Sequence, residues 1–377
     1  MRQDPDILWI DTPNALNDAC AALSGADVLA LDTEFFREST FHPVPALVQL
    51  YAGETVYLID PVAVSATPAL QDLLASGPLK VIHASSEDIE VIASWAGVTV
   101  SPLVDTQIAQ ALLGEDPAMG YQRLVEHWTG EVLPKDETRS DWLIRPLSEA
   151  QCRYAALDVV HLLHVWQAQR DALERLGRLA WLQAECDLLV VQAGRDSDSD
   201  GQWYLRNRQL WRLAPRQIDA YRRMTAWREA EARKRDKPRG WLINDKLLFA
   251  IAEKMPANRY ELAAIEGLKP AVVKREGDVL LELIRQAHHA DDDELPEALP
   301  SPMGNGFKKR LKALKRVVND EADSLGVAPE LLMRRRDLEA LVTADLLDRP
   351  LPLPQGWRGE RLADPLRAAL EERETTS

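Results

Sequence analysis

The sequence predicts an α/β domain, a mixed sheet flanked by helices, followed by two small all-α domains. Three observations carry this. The first 110 residues alternate between β-rich and helix-like segments. Residues 208–288 and 307–348 place their apolar side chains at helical spacing. Two polar, turn-rich stretches, RDSDSDG (195–201) and ADDDELPEALPSPMGNG (290–306), fall where linkers would divide such a chain. The length of 377 residues agrees, being too great for one ordinary core.

Taken in order, ILWID (7–11) reads as a strand, and the helix after it opens at Pro13, a residue suited to a first turn. DVLALDTEF (27–35), ALVQLYAG (46–53) and TVYLIDP (55–61) are β-rich. Gly53-Glu54, between the last two, predicts a two-residue hairpin. PALQDLLAS (68–76) is helical and KVIHA (80–84) extended. SSEDIEVIASWAG (85–97) is helical, with a serine cap and a glycine stop. VSPLVDT (100–106) supplies a further strand, and its Asp105 is placed to cap the next helix. From 107 to 190 the pattern is mainly helical, with one long helix expected over 147–177 behind a capping Ser148. Helical patterning ends in 359–373.

Hydrophobic residues make up 46% and charged residues 28%, a globular balance that excludes wholesale disorder. No apolar run approaches the ~18 residues of a transmembrane helix. The first twenty residues carry early carboxylates and lack the basic-then-apolar pattern of a secretory signal. Cys20, Cys152 and Cys186 lie far apart with no C-x-x-C, which excludes a disulfide framework or a cysteine-rich zinc site. A soluble, cytoplasmic protein is expected.

The net charge of −15 hides an asymmetry. Residues 1–200 hold 12 basic and 31 acidic side chains, whereas 201–377 hold 33 and 29. Within the second part, 206–239 carries 12 basic against 4 acidic residues. KKRLKALKR holds six cations in nine residues: Lys308, Lys309, Arg310, Lys312, Lys315 and Arg316. Basic stripes on an acidic protein are the footprint of a polyanion binder, although a solvated helix face gives the same composition.

Asp32 and Glu34 lie two apart on a strand, so both side chains leave one face. With roughly one residue in six acidic, such a pair also arises by chance. Asp88 falls in the first turn of a helix, where an acid is already favoured by the helix dipole. Tyr154 and Asp158 are one turn apart on a helix whose surroundings, YAALDVVHLL, are otherwise apolar. A carboxylate there needs a partner, and a cation is the obvious one. His161 and His164 have no second histidine pair to complete a zinc site. As a set, four carboxylates without cysteine suit a hard divalent cation, Mg²⁺ or Mn²⁺. A pair of such ions activates water and stabilises the leaving oxygen of a phosphodiester.

LDTEF (31–35), IHASSEDIEVI (82–92) and YAALDVVHLL (154–163) resemble, in order and surroundings, the three motifs of the DEDD 3′→5′ exonucleases. The tyrosine four before the last aspartate resembles that of the DEDDy subgroup. LPKDETRSDWLIRPLSEAQCRYAALDV (133–159) is similar to the segment preceding the third motif in the ribonuclease D family. MTAWREAEARKRDKPRGWLINDKLLFAIAEKMP (224–256) resembles an HRDC domain, and GVAPELLMRRRDLEAL (326–341) its more divergent second copy. Pro45 and His42 depart from the family pattern, which bears on local loop shape and leaves the five motif residues intact.

The resemblance implies a ribonuclease-H-like exonuclease domain over 1–195, an HRDC domain over 208–288 and an HRDC-like domain over 300–373. It implies two divalent ions: Asp32 bridging both, Glu34 and Asp158 completing the first, Asp88 serving the second, and Tyr154 orienting the attacking water. The implied activity is 3′→5′ exoribonuclease release of nucleoside 5′-monophosphates from RNA with a free 3′ end, tRNA precursors among them. The basic residues at 308–316 would then contact RNA. All motif residues precede 200, so a chain cut there is expected to keep its active centre. Two other readings compete with this one. A non-catalytic nucleic-acid-binding protein would use the helical tail alone. A helicase fails because no G-x-x-x-x-G-K-[ST] occurs.

Overall fold

The structure is a computed structural model and describes residues 6–134, 140–194 and 202–371. The linker expected at 195–201 lies outside the described residues, but for the 290–306 stretch irregular backbone is indeed found up to the next helix. The α/β part opens with β1 (Asp6–Ile10), α1 (Pro13–Leu23), β2 (Val28–Phe36), β3 (Val44–Tyr51) and β4 (Thr55–Ile59). It continues through α2 (Pro68–Ser76), β5 (Leu79–Ile82), α3 (Ser86–Ala96) and β6 (Leu103–Asp105). Five helices complete it: α4 (Thr106–Leu112), α5 (Tyr121–Thr129), α6 (Glu149–Val160), α7 (Leu162–Arg175) and α8 (Leu179–Gly194).

Among the described residues the strands form one mixed sheet in the order β1-β4-β3-β2-β5-β6. β3 runs antiparallel to both neighbours, and the other pairs are parallel. Tyr51 pairs with Val56, so four residues, 52–55, separate the last ladder pair rather than the two expected, and within them Gly53 takes φ 114, a value open to glycine. Pro45 sits in this central strand because the ladder is broken beside it: Glu34 faces Leu47 but Phe35 faces Pro45. Ala46 is the extra residue of the bulge, and its carbonyl accepts from Arg145 at 2.6 Å.

Three local expectations are corrected. The single helix over 147–177 is two, α6 and α7, meeting at His161. Both touch β2, but their other neighbours differ: α6 packs against β3 and β4, α7 against α4 and α5. Ser148 does cap α6, in a reciprocal box with Gln151. Ser85 does not cap α3, because its hydroxyl donates to Asp105 at 2.9 Å instead. The strand expected over 100–106 shrinks to β6, since Pro102 has no amide hydrogen for a ladder.

The remainder is helical. After two short 3₁₀ turns come α9 (Pro215–Arg235), α10 (Arg239–Leu242), α11 (Asp245–Lys254), α12 (Arg259–Ala263) and α13 (Pro270–His289). Then follow α14 (Asn305–Leu325), α15 (Pro329–Leu332), α16 (Arg335–Leu346) and α17 (Gly356–Glu371). The two units start alike. Each opens with a 21-residue helix closed by a left-handed residue, Asp236 or Gly326. A four-residue helix comes next, then an extended residue, Ile243 or Met333, before a longer helix.

Their cores differ in kind. α9–α13 bury Leu248, Ile251, Leu280 and their neighbours in a core of their own. The helices α14–α17 share one continuous apolar core with the α/β domain. Trp357 stacks on Trp181 with ring centres 4.4 Å apart, and its Nε1 donates to Glu185 at 2.8 Å. Arg178 donates to the carbonyls of both Leu112 and Leu325, at 2.6 and 2.5 Å. A Cβ on Gly114 would lie 2.2 Å from the Gly326 carbonyl oxygen, so the two backbones meet there without a side chain between them. The chain before residue 200 is therefore not closed on itself. Among the described residues no helix is long and apolar enough to cross a membrane.

Candidate active site

Strand β2 presents Asp32 and Glu34 on one face, and α6 brings Asp158 to them. Carboxylate oxygens of these three residues lie within 4.8 Å of one another, a spacing that could hold a metal ion. They line an open cleft of about 500 Å³ together with Tyr154, one turn before Asp158 on α6. Asp88, in the first turn of α3, is buried beside this group rather than part of the three-residue cluster. Its Oδ1 accepts from the hydroxyl of Thr33, the residue between the two strand acids, at 2.6 Å.

The electrostatics are those of a buried cluster of acids. Burial, then the charges of Asp88, Asp158 and Glu34, hold Asp32 well above the usual carboxylate range. Glu34 is pushed up to about 8 by burial and by Asp158 and Asp88. Burial takes Asp88 and Asp158 each to about 7. Tyr154 is raised as well, by burial first and then by Asp158, Glu34 and Asp32, so its phenol keeps its proton. A divalent cation reverses this cost, and all-oxygen donors fit Mg²⁺ or Mn²⁺ rather than a thiophilic metal.

Several supports were not singled out in the sequence. Tyr121, on α5, donates from its hydroxyl to the Leu157 carbonyl at 2.9 Å, fixing the turn of α6 next to Asp158. His83 lines the same cleft, with Nδ1 2.9 Å from the Thr106 hydroxyl. Gln122 and Arg123 form part of its rim. Asp105 caps α4 as expected, and its carboxylate also accepts from the amides of Ala84 and Ser85 at 3.1 and 2.8 Å. That bond pins the start of α3, and with it Asp88. Arg145 anchors the segment before α6: it donates to both carboxylate oxygens of buried Asp60 at 2.8 and 2.7 Å. Asp60 lies 85 positions away, and no local pattern announces the pair.

The basic residues divide into two groups. Lys308, Lys309, Lys312, Lys315 and Arg316 are exposed on α14, Arg316 lying 3.6 Å from Asp320. Arg310 is half-buried and ion-paired with Asp345. In 206–239, much of the positive charge is already met by acids outside that window: Arg212 by Glu253, Arg216 by Asp292, Arg228 by Asp245 and Arg235 by Glu276.

Residues 7–174 match the family profile of a 3′-5′ exonuclease, and residues 217–284 that of an HRDC domain. The chain is 42% identical over 371 residues to ribonuclease D of Pseudomonas paraeruginosa, covering 97% of this chain and 98% of that one. Its fold superposes on the crystal structure of Escherichia coli RNase D, an exoribonuclease involved in structured RNA processing, with a TM-score of 0.88. That match has 33% identity over 98% of this chain and 99% of the other. The catalytic core of RRP6 from Trypanosoma brucei shares the fold at a TM-score of 0.57 and 23% identity, over 76% of this chain and 81% of that one. With three motif acids gathered in one cleft beside Tyr154, and relatives matched along nearly their whole length, the chain belongs to the ribonuclease D family of 3′→5′ exoribonucleases.

Proposed function

We propose that the cleft between β2, α5 and α6, with Asp88 of α3 buried beside it, holds two divalent ions and removes nucleoside 5′-monophosphates one at a time from the 3′ end of structured RNA, tRNA precursors in the cytoplasm included. The observation that carries this reading is the crowding of Asp32, Glu34 and Asp158 within 4.8 Å, where ionising them together is costly and a bound cation offsets that cost. Asp32, Glu34 and Asp158 hold the first position, and Asp32 with Asp88 the second. Ions bound there supply charge neutralisation at the scissile phosphate and make a water easier to deprotonate. Tyr154, protonated and on the same face as Asp158, orients that water through its hydroxyl. Its phenol is too weak an acid to act as a free base.

The exposed cations of α14, Lys308, Lys309, Lys312, Lys315 and Arg316, supply attraction for the RNA body; Arg310 contributes less because Asp345 holds it. Residues 208–288 form the HRDC domain and 300–373 a second, HRDC-like one, a reading supported by the repeated opening of the two units. Incubation of 5′-labelled RNA with Mg²⁺ tests the activity. The expected product is a ladder shortened from the 3′ end with mononucleotides released, and none in EDTA. Internal cuts, or a ladder that survives EDTA, would refute it. Replacing the four exposed lysines with Gln should flatten the salt dependence of affinity, by about 0.7–0.9 in log slope for each phosphate they neutralise.

A further inference from the structure

Among the described residues, the HRDC domain reaches the nuclease domain at the corner between α9 and α10, and that corner grips the loop leaving β2. Asp236 closes α9 at φ 47, a left-handed conformation that is uncommon for a residue with a side chain. Its carboxylate accepts from two backbone amides of the other domain, Phe41 at 2.9 Å and His42 at 3.1 Å. The Phe41 ring is buried against Ala232 and Leu242, with the guanidiniums of Arg239 and Arg233 4.6 and 4.8 Å from its centre. From the other side of the loop, Arg37 donates to the Phe41 carbonyl at 3.1 and 2.9 Å. The same guanidinium forks onto Glu90 at 2.6 and 2.8 Å. Glu90 lies on α3, two residues beyond Asp88. The second helical unit docks by its corresponding corner, where glycine, Gly326, stands in place of Asp236 and offers no side chain.

We propose that Asp236 and Arg37 are positioning residues of the nuclease. By clasping the 37–42 loop between the HRDC domain and α3, they set the separation of β2, which carries Asp32 and Glu34, from α3, which carries Asp88. The ladder is interrupted at this end of β2 by the bulge between Glu34 and Phe35 and resumes for only two pairs, Phe35 with Pro45 and Phe36 with Val44, before the loop begins. Arg37 follows Glu34 by only three residues, so a shift of the loop reaches the ligands directly. A displacement of ~1 Å at a catalytic group can cost about 10²-fold in rate. The HRDC domain in this sense braces the active centre through the 37–42 loop without lining its cleft.

The proposal rests on the metal-centre reading above, and its test separates the two. The substrate is a trinucleotide RNA, so contacts to a longer RNA body do not enter, and the full chain is used. Single-turnover rate at saturating substrate and the Mn²⁺ concentration for half-maximal binding are both measured. Asp236→Ala and Arg37→Ala should each slow the reaction about tenfold and require several-fold more Mn²⁺. Asp236→Asn retains an oxygen that accepts both amides, and should stay near the parent on both measures. The Arg37→Ala, Asp236→Ala double variant should be no slower than the slower single, because both break one clasp. Parent-like rate and Mn²⁺ binding in both alanine variants, or fully additive losses, would overturn the proposal. If the parent itself released no nucleotide, the nuclease reading would fail instead, and the Mn²⁺ isotherms would still report on the clasp.

Discussion

At the scale of single residues, the centre is a set of acids whose ionisation is made costly by burial first and by their own proximity second. Asp32, Glu34, Asp88 and Asp158 all have folded values above those of the free side chains, 3.8 for Asp and 4.5 for Glu, with Glu34 reaching about 8. Without metal, the folded state therefore holds more protons than the unfolded chain between about pH 4 and pH 8. The contribution of these groups to stability is fully present at the acid end of that window and is lost as pH rises through it. Divalent ions bind the deprotonated forms, so they should raise the unfolding temperature more at pH 8 than at pH 5.5. Calorimetric melts with and without Mg²⁺ at the two pH values check this; an equal increment at both would argue against the cluster as the metal site. Tyr154→Phe should lower the single-turnover rate by about 10²-fold, as for loss of a group that positions the attacking water, with RNA affinity largely kept. Weaker RNA binding at an unchanged chemical rate would assign the tyrosine a different role. Strand alternation pairs Asp32 with Glu34 and the i, i+4 rule pairs Tyr154 with Asp158, whereas Asp88 by itself reads only as a first-turn acid favoured by the helix dipole. Their convergence was carried by the family resemblance, since Asp32 and Asp158 are 126 positions apart and spacing alone cannot join them.

At the scale of elements, the site depends on pieces that hold no ligand. Arg145 ties the segment leading into α6 to Asp60 and to the bulged Ala46 carbonyl, and its guanidinium lies 5.5 Å from the Trp9 ring. Asp60 is 5% exposed and Arg145 22%, so Arg145→Ala leaves a buried carboxylate unpaired. The expected cost is about 3–5 kcal/mol, read by urea unfolding. Adding Asp60→Ala should recover part of it; no recovery would mean that the arginine acts through the Ala46 carbonyl and packing instead. The sequence could not show this bond, nor the break at His161, because helical periodicity continues across it while the packing partners change. Asp105 is a milder case: its capping role was readable from local pattern, whereas its hold on the start of α3 requires two elements to be seen together.

At the scale of the whole molecule, the two helical units are not equivalent additions. Amphipathic periodicity revealed that both exist, but not which surface each would cover. The α9–α13 unit closes its own core and meets the nuclease at the Asp236 corner, while α14–α17 complete the nuclease core. Counting charge by sequence window misled in a related way, since the acids that neutralise 206–239 come from elsewhere in the fold. A chain ending near residue 200 is therefore expected to unfold at lower temperature than the full protein, with Trp181 and its neighbours newly exposed. Within the full chain, Trp357→Ala isolates the same contact and should cost about 3 kcal/mol or more. Unfolding temperatures matching the full chain would show the nuclease domain to be self-sufficient after all.

The central claim, that these carboxylates form a metal centre which drives hydrolysis from the 3′ end, is tested most directly by titrating Mn²⁺ calorimetrically into the full protein and into Asp32→Asn at pH 6.5, with release of 3′-nucleotide measured on the same samples. The account predicts two ions bound by the parent with release of protons, since Glu34, Asp88 and Asp158 titrate at about 8, 7 and 7 when metal-free. Asp32→Asn should lose at least one ion and lower hydrolysis by about 10²–10³-fold. Parent-like Mn²⁺ binding and parent-like hydrolysis in Asp32→Asn would contradict it.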